Sequence, residues 1–181
     1  MSKFEEKTIN TVKIFDGKVV KLQVDEVTLP NGKQSTREII KHPGAVAVIP
    51  MTKEGKIVLV EQFRKPLEKS IVEIPAGKLE PGEDPQETAV RELEEETGYT
   101  TKSLTKLTSF YSSPGFADEI MHIYVAKELE KLVEAPSMDE DEFVEILEVT
   151  LEEAKQMVEE LRIHDAKTNY AVLYLEMQEL L

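Results

Sequence analysis

Between residues 45 and 77 the chain runs through three short apolar stretches, AVAVIPM (45–51), IVLVEQF (57–63) and SIVEIPAG (70–77). They are separated by the turn KEGK and by a loop carrying Arg64, Lys65 and Pro66. Short, continuous runs rich in Val and Ile read as strands buried in a sheet. The rhythm then changes. Ala89, Val90 and Leu93 recur at helical spacing and predict a helix with one face packed on that sheet. Its limits are also written in the chain. Asp84 is a good N-cap, Pro85 fits the first helical position, and Glu87 completes a capping box with Asp84. Gly98 stops the helix by taking the left-handed conformation.

Further strands are predicted at LTKLTSFYSSPGF (104–116, ending in a turn), EIMHIYVAK (119–127) and FVEILEVT (143–150). LEKLVEAPSMDEDE (129–142) reads as a loop. Thr150, with Glu153 at the third position, caps a helix running to about Arg162. Asp165 caps a last helix whose apolar face is Ala171, Val172, Leu175 and Leu180. Strands flanked by helices predict an α/β/α layered domain over residues 44–181. Residues 1–43 differ: three β-prone runs punctuated by Asp16-Gly17 and Pro30-Asn31-Gly32 predict an antiparallel three-stranded extension. So small a sheet is hardly stable alone and must pack on the remainder or on another subunit.

Composition narrows the class. The chain has 181 residues, no cysteine and a formal net charge of −14. That excludes a disulfide framework and a zinc–thiolate site, and argues against non-specific nucleic-acid binding. No signal pattern opens the chain and no apolar run approaches the ~20 residues that span a bilayer, so the expectation is a soluble cytoplasmic protein.

The helix of residues 85–97 carries the candidate chemistry. Glu92 and Glu96 are four apart, with Glu95 on the same side. Three like charges on one face repel unless a cation sits among them, and hard divalent ions take such oxygen ligands. A solvated acidic face is the ordinary alternative for a charge run. Just upstream, a strand runs directly into the Gly77 loop, the arrangement of a phosphate or metal site at a helix N-terminus. A second acidic group, Asp139, Glu140, Asp141 and Glu142, lies in a loop; a carboxylate there could close over a metal site as general base. Arg37 and Arg64 stand beside strand ends, where an arginine holds either a phosphate bidentately or a surface ion pair; the residues alone leave both open. His42, His122 and His164 are scattered singly and read as structural.

One stretch is specific. Gly77, Glu83, Arg91, Glu92, Leu93, Glu95, Glu96, Gly98 and Tyr99 match the Nudix box, Gly-x5-Glu-x7-Arg-Glu-U-x-Glu-Glu-x-Gly-U, without departure. The chain therefore resembles the Nudix hydrolases over roughly residues 44–181. Ser113-Pro114-Gly115, with the proline sixteen residues after Gly98, resembles the ADP-ribose pyrophosphatase branch, as do EQFR (61–64), VEIPAG (72–77) and the β-rich extension. The resemblance implies a Nudix-type α/β/α sandwich with a mixed sheet, plus the N-terminal antiparallel sheet. It implies Mg²⁺ (two or three ions, with Mn²⁺ able to substitute) on Glu92, Glu96, Glu142 and the carbonyl of Ala76. Glu95 would support those ligands, Arg91 would orient the glutamates, and Glu140 would serve as general base, a role that in related branches sits nearer Glu142. Arg37, Glu38, Arg64, Lys78, Ser113, Pro114, Gly115 and Glu119 match positions lining an ADP-ribose pocket, although Lys78 stands where an apolar residue is expected. A homodimer with exchanged N-terminal sheets would bring Arg37 and Glu38 to a partner's site. The implied reaction is hydrolysis of ADP-ribose to AMP and ribose 5-phosphate. A different nucleoside diphosphate derivative, such as a nucleotide sugar, is the alternative substrate, and a non-catalytic Nudix-like ligand-binding module or a plain acidic interaction domain the alternative class.

Overall fold

The computed structural model describes residues 2–134, 136 and 143–180. The chain divides into two compact units, Met1–Gly44 with Phe110–Met121, and Ala45–Ser109 with His122–Leu181. The first therefore takes in a segment that the sequence reading placed with the layered domain.

In the first unit, β1 (Lys7–Asp16), β2 (Lys21–Thr28) and β3 (Gln34–Lys41) form an antiparallel sheet in that order. Gly32, in the second turn, adopts φ 83°, the left-handed region its sequence position calls for. Buried Asp25 on β2 ties the strands together, accepting from the Thr11 hydroxyl at 2.8 Å and the Gln23 amide at 2.9 Å. β1 is exposed along its whole length. Its apolar side chains Ile9, Val12, Ile14 and Phe15 all face solvent.

The second unit holds β4 (Ala45–Pro50), β5 (Ile57–Arg64), β6 (Lys69–Glu73), β7 (Ala76–Lys78) and α1 (Pro85–Thr97), then β8 (Tyr99–Thr100) and β9 (Ser103–Tyr111) as far as Ser109. β10 (Ile120–Lys127) from His122 onward, β11 (Glu130–Lys131), β12 (Val144–Val149), α2 (Leu151–Glu159) and α3 (Ala166–Glu179) complete it. One sheet has the order β7-β4-β10-β9, a second β12-β5-β6, and β8 pairs with β11. All six residues of β4 are buried, which explains its unbroken apolar run: a strand covered on both faces does not alternate. Val46, Val48, Val58, Tyr124 and Ala126 supply the sheet side of a core on which Ala89 and Leu93 of α1 pack. Val90, expected to join them, is only half-buried. α2 ends three residues before the expected Arg162, and Leu161 turns the chain at φ 58°. In α3, Ala171 and Val172 are buried as predicted, but Leu180 is exposed as the residue that ends the helix. Among the described residues, no helix is long and apolar enough to cross a membrane.

Candidate active site

The site is built where β7 faces α1. Asp84 caps α1 by accepting from the Gln86 backbone N–H at 2.8 Å, and Gly98 closes it at φ 67°. The predicted capping box with Glu87 is not formed among the described residues, since Asp84 accepts from the second helical residue rather than the third. One face of α1 takes Ala89 and Leu93 into the core. The adjoining face carries Glu92 and Glu96, and both are buried, at 8% and 4% exposure. A solvated acidic face is thereby excluded, since ionised carboxylates are rarely taken out of water without a partner or an ion.

Glu96 Oε2 accepts the backbone N–H of Ala76 at 3.0 Å, fixing β7 to the helix. Gly77 makes this approach possible. A Cβ built there would lie 1.9 Å from Glu92 Cδ and 2.0 and 2.2 Å from its two oxygens. Glycine is thus needed for space, because the Glu92 carboxylate occupies the place a side chain would take.

Arg91 organises the acidic residues around it. Its Nε and Nη2 donate to Glu83 Oε1 and Oε2, each at 3.1 Å, in a bidentate clasp. Its Nη1 lies 2.8 Å from Glu95 Oε2 and 2.9 Å from Glu92 Oε1. Hydrogen bonding to Glu83, and then the charges of Glu92 and Glu95, hold Arg91 firmly in its charged form. In return, the Arg91 hydrogen bond holds the Glu83 carboxyl below its ordinary value of 4.5. A carboxylate with a lowered folded value stabilises the fold above its unfolded value and loses that contribution as pH falls through the lowered one. Removing the guanidinium in Arg91→Met should therefore lower the melting temperature near neutrality and flatten its decline below about pH 4.5. Melting curves from about pH 7 to pH 3 test this. An unchanged acid limb would mean that Arg91 does not hold Glu83.

Two other expected site residues, Arg64 and Lys78, belong to the same unit. Arg64 is half-exposed at the end of β5, and its Nε donates to Glu73 Oε2 at 2.6 Å. Lys78 pairs with Ala45 in the β4–β7 ladder and is exposed. Glu140 and Glu142 lie outside the described residues. Among the described residues, no three acidic or histidine side chains converge closely enough to enclose an ion. The donors nonetheless fit a hard divalent cation: two buried carboxylates on successive helical turns, beside a backbone segment that a glycine lets approach them.

The remaining expected residues are in the first unit. Arg37 is engaged with Glu6, to which Nε and Nη2 donate at 2.8 and 2.6 Å, so its surface ion pair is the arrangement observed. Glu38 on β3 is exposed. Ser113-Pro114-Gly115 forms a turn in which the Ser113 carbonyl accepts from Phe116 N and Ala117 N at 3.1 and 2.9 Å. Glu119 accepts from the Ser112 hydroxyl and lies 3.6 Å from His42 Nδ1. Sequence reasoning missed Glu73, which is 3% exposed. The signal was available: a single acid interrupts the apolar run SIVEIPAG.

Comparison with known proteins places these residues in context. A family model described as the NUDIX domain matches residues 41–170. The chain is 64% identical over 181 residues to an ADP-ribose pyrophosphatase of Bacillus subtilis (strain 168), covering 100% of this chain and 98% of the relative. It is 66% identical over 178 residues to a methanol dehydrogenase activator of Bacillus methanolicus, covering 98% and 96%. A solved structure titled "Crystal structure of ADP compounds hydrolase" superposes with a TM-score of 0.85 over 98% of this chain and 96% of that one; at 21% identity the likeness is one of fold.

Proposed function

The chain belongs to the NUDIX family, and from that premise we propose that it hydrolyses the diphosphate of ADP-ribose to AMP and ribose 5-phosphate with Mg²⁺. The observation that carries this is the buried Glu92–Glu96 pair set against Ala76 and Gly77. Glu92, Glu96 and the Ala76 carbonyl would hold the ions, joined by Glu142. Divalent cations held there would supply charge neutralisation of the diphosphate oxygens, which otherwise repel a nucleophile. The chain's own residues do the rest. Arg91 fixes Glu92 and Glu95 in one arrangement, so that no reorientation is needed during the reaction. Glu140 or Glu142 accepts the proton of the attacking water. The 64% identity to a pyrophosphatase over the full chain supports ADP-ribose as substrate.

We also propose a homodimer. The exposed Ile9, Val12, Ile14 and Phe15 on β1 support this, because an uncovered strand with apolar side chains invites a second copy. A monomeric mass at micromolar concentration would overturn it. The 66% identity to a methanol dehydrogenase activator favours a second reading, in which the chain activates such a dehydrogenase.

A substrate panel and a dehydrogenase assay test the two readings. ADP-ribose, nucleotide sugars and dinucleotides are incubated with protein and Mg²⁺, and AMP or the corresponding nucleotide is measured. ADP-ribose should turn over fastest, chelation with EDTA should abolish release, and added Mg²⁺ should restore it. Fast turnover of another diphosphate with none of ADP-ribose rejects the substrate. A methanol dehydrogenase whose rate is unchanged on adding the protein rejects the second reading.

A further inference from the structure

Glu73 is a buried carboxylate at the end of β6. Its two oxygens go to different cations: Oε2 accepts from Arg64 Nε at 2.6 Å, and Oε1 accepts from Lys167 Nζ. Lys167 is itself buried to 11% side-chain exposure and donates a second bond to Asp165 Oδ1 at 2.9 Å. Asp165 is the N-cap of α3, accepting the Thr168 N–H at 3.1 Å, and the Thr168 hydroxyl accepts the Ile74 N–H at 3.0 Å. The first turn of α3 thus holds residues 73 and 74 on both side chain and backbone.

Arg64 differs from the other charges in this network. Its side chain is 38% exposed, and among the described residues only its Nε has a hydrogen-bond partner. A guanidinium held at Nε keeps its two terminal nitrogens for a bidentate contact with an oxyanion. Glu73 lies three residues before Ala76, so at most about 10 Å of backbone separates the arginine's anchor from the proposed ion-binding segment. We infer that Glu73, held in turn by Lys167, is a positioning residue that aims Arg64 at a phosphate of the substrate. Lys167 keeps Glu73 in place: Arg64 and Lys167 together balance the carboxylates of Glu73 and Asp165, and loss of either cation leaves the network with uncompensated negative charge.

The inference rests on the diphosphate-hydrolase reading of the site, and its test is separable from that reading. Kinetics are measured for Arg64→Ala, Glu73→Gln, Lys167→Met, Lys167→Arg and the double variant Arg64→Ala/Glu73→Gln. The substrate is whichever nucleoside diphosphate derivative the unaltered protein turns over, so a wrong substrate and a wrong role for Glu73 give different results. A positioning role raises KM about tenfold in Glu73→Gln and Lys167→Met while kcat changes less, and Lys167→Arg restores KM. In the double variant, Glu73→Gln should add nothing to the effect of Arg64→Ala. A solely structural hub would lower the melting temperature, leave KM unchanged in whichever of Glu73→Gln and Lys167→Met folds, and overturn the inference. Unchanged KM in Arg64→Ala, a substitution of a half-exposed side chain, overturns it whatever the stability of the others.

Discussion

Glu96→Gln should reduce turnover by at least about 10²- to 10³-fold, the scale of losing one preorganised electrostatic group, while the melting temperature moves by no more than a few degrees. The asymmetry follows from the bond Glu96 makes. Its Oε2 accepts the Ala76 N–H, and a glutamine side-chain oxygen can accept the same bond. Shape, burial and the tie to β7 are therefore kept. The negative charge that a divalent cation needs is lost. Removing it also relieves repulsion from Glu92 one turn away, which offsets part of any packing cost. Functional sites commonly carry such local conflict, so a small rise in melting temperature fits the same account. The measurement is steady-state AMP release with saturating Mg²⁺ beside a thermal melt. A large fall in melting temperature with proportionate loss of activity would make Glu96 a structural residue.

Gly77→Ala should be almost as damaging by a different route. The added methyl would stand 1.9 Å from Glu92 Cδ, far inside contact distance, so one of the two must move. Glu92 is the less constrained in its terminal atoms, but those atoms are the ones the site uses. Displacing them by about an ångström is expected to cost on the order of 10²-fold in rate. Overpacking a buried site adds about 1–3 kcal/mol of destabilisation. Glu92→Asp in the Gly77→Ala background, with its shorter side chain, should recover stability without recovering activity. Unimpaired turnover in Gly77→Ala would show that the Glu92 carboxylate is free to sit elsewhere.

These effects turn on residues that were unevenly legible in the chain. The β4 strand and the α1 caps could be read directly because burial on both faces leaves an unbroken apolar run, and because proline and glycine at helix ends have few other uses. The acidic face of α1 could be located but not interpreted. Spacing put Glu92, Glu95 and Glu96 on one side, yet only the fold reveals that Glu92 and Glu96 are buried and that one nitrogen of Arg91 reaches both Glu92 and Glu95. The Arg91–Glu83 clasp spans eight residues across a helix start, a distance no local rule covers. The Glu73–Lys167 pair is 94 residues apart and follows from topology alone. Leu180 was misassigned because helical periodicity continues to the last residue even where the helix no longer has anything to cover.

The placement of α1 on β4 bears on how this protein loses activity. The strand beneath is wholly buried, and Ala89 and Leu93 are fully enclosed against it. Backbone amides in such a position exchange with solvent only when the whole unit opens, whereas those of a strand exposed like β1 are released by local fluctuation. The glutamates ride on the slow-exchanging side of that divide. Partial unfolding of the surface therefore leaves Glu92 and Glu96 assembled, and their separation from Ala76 and Gly77 requires the opening of this core.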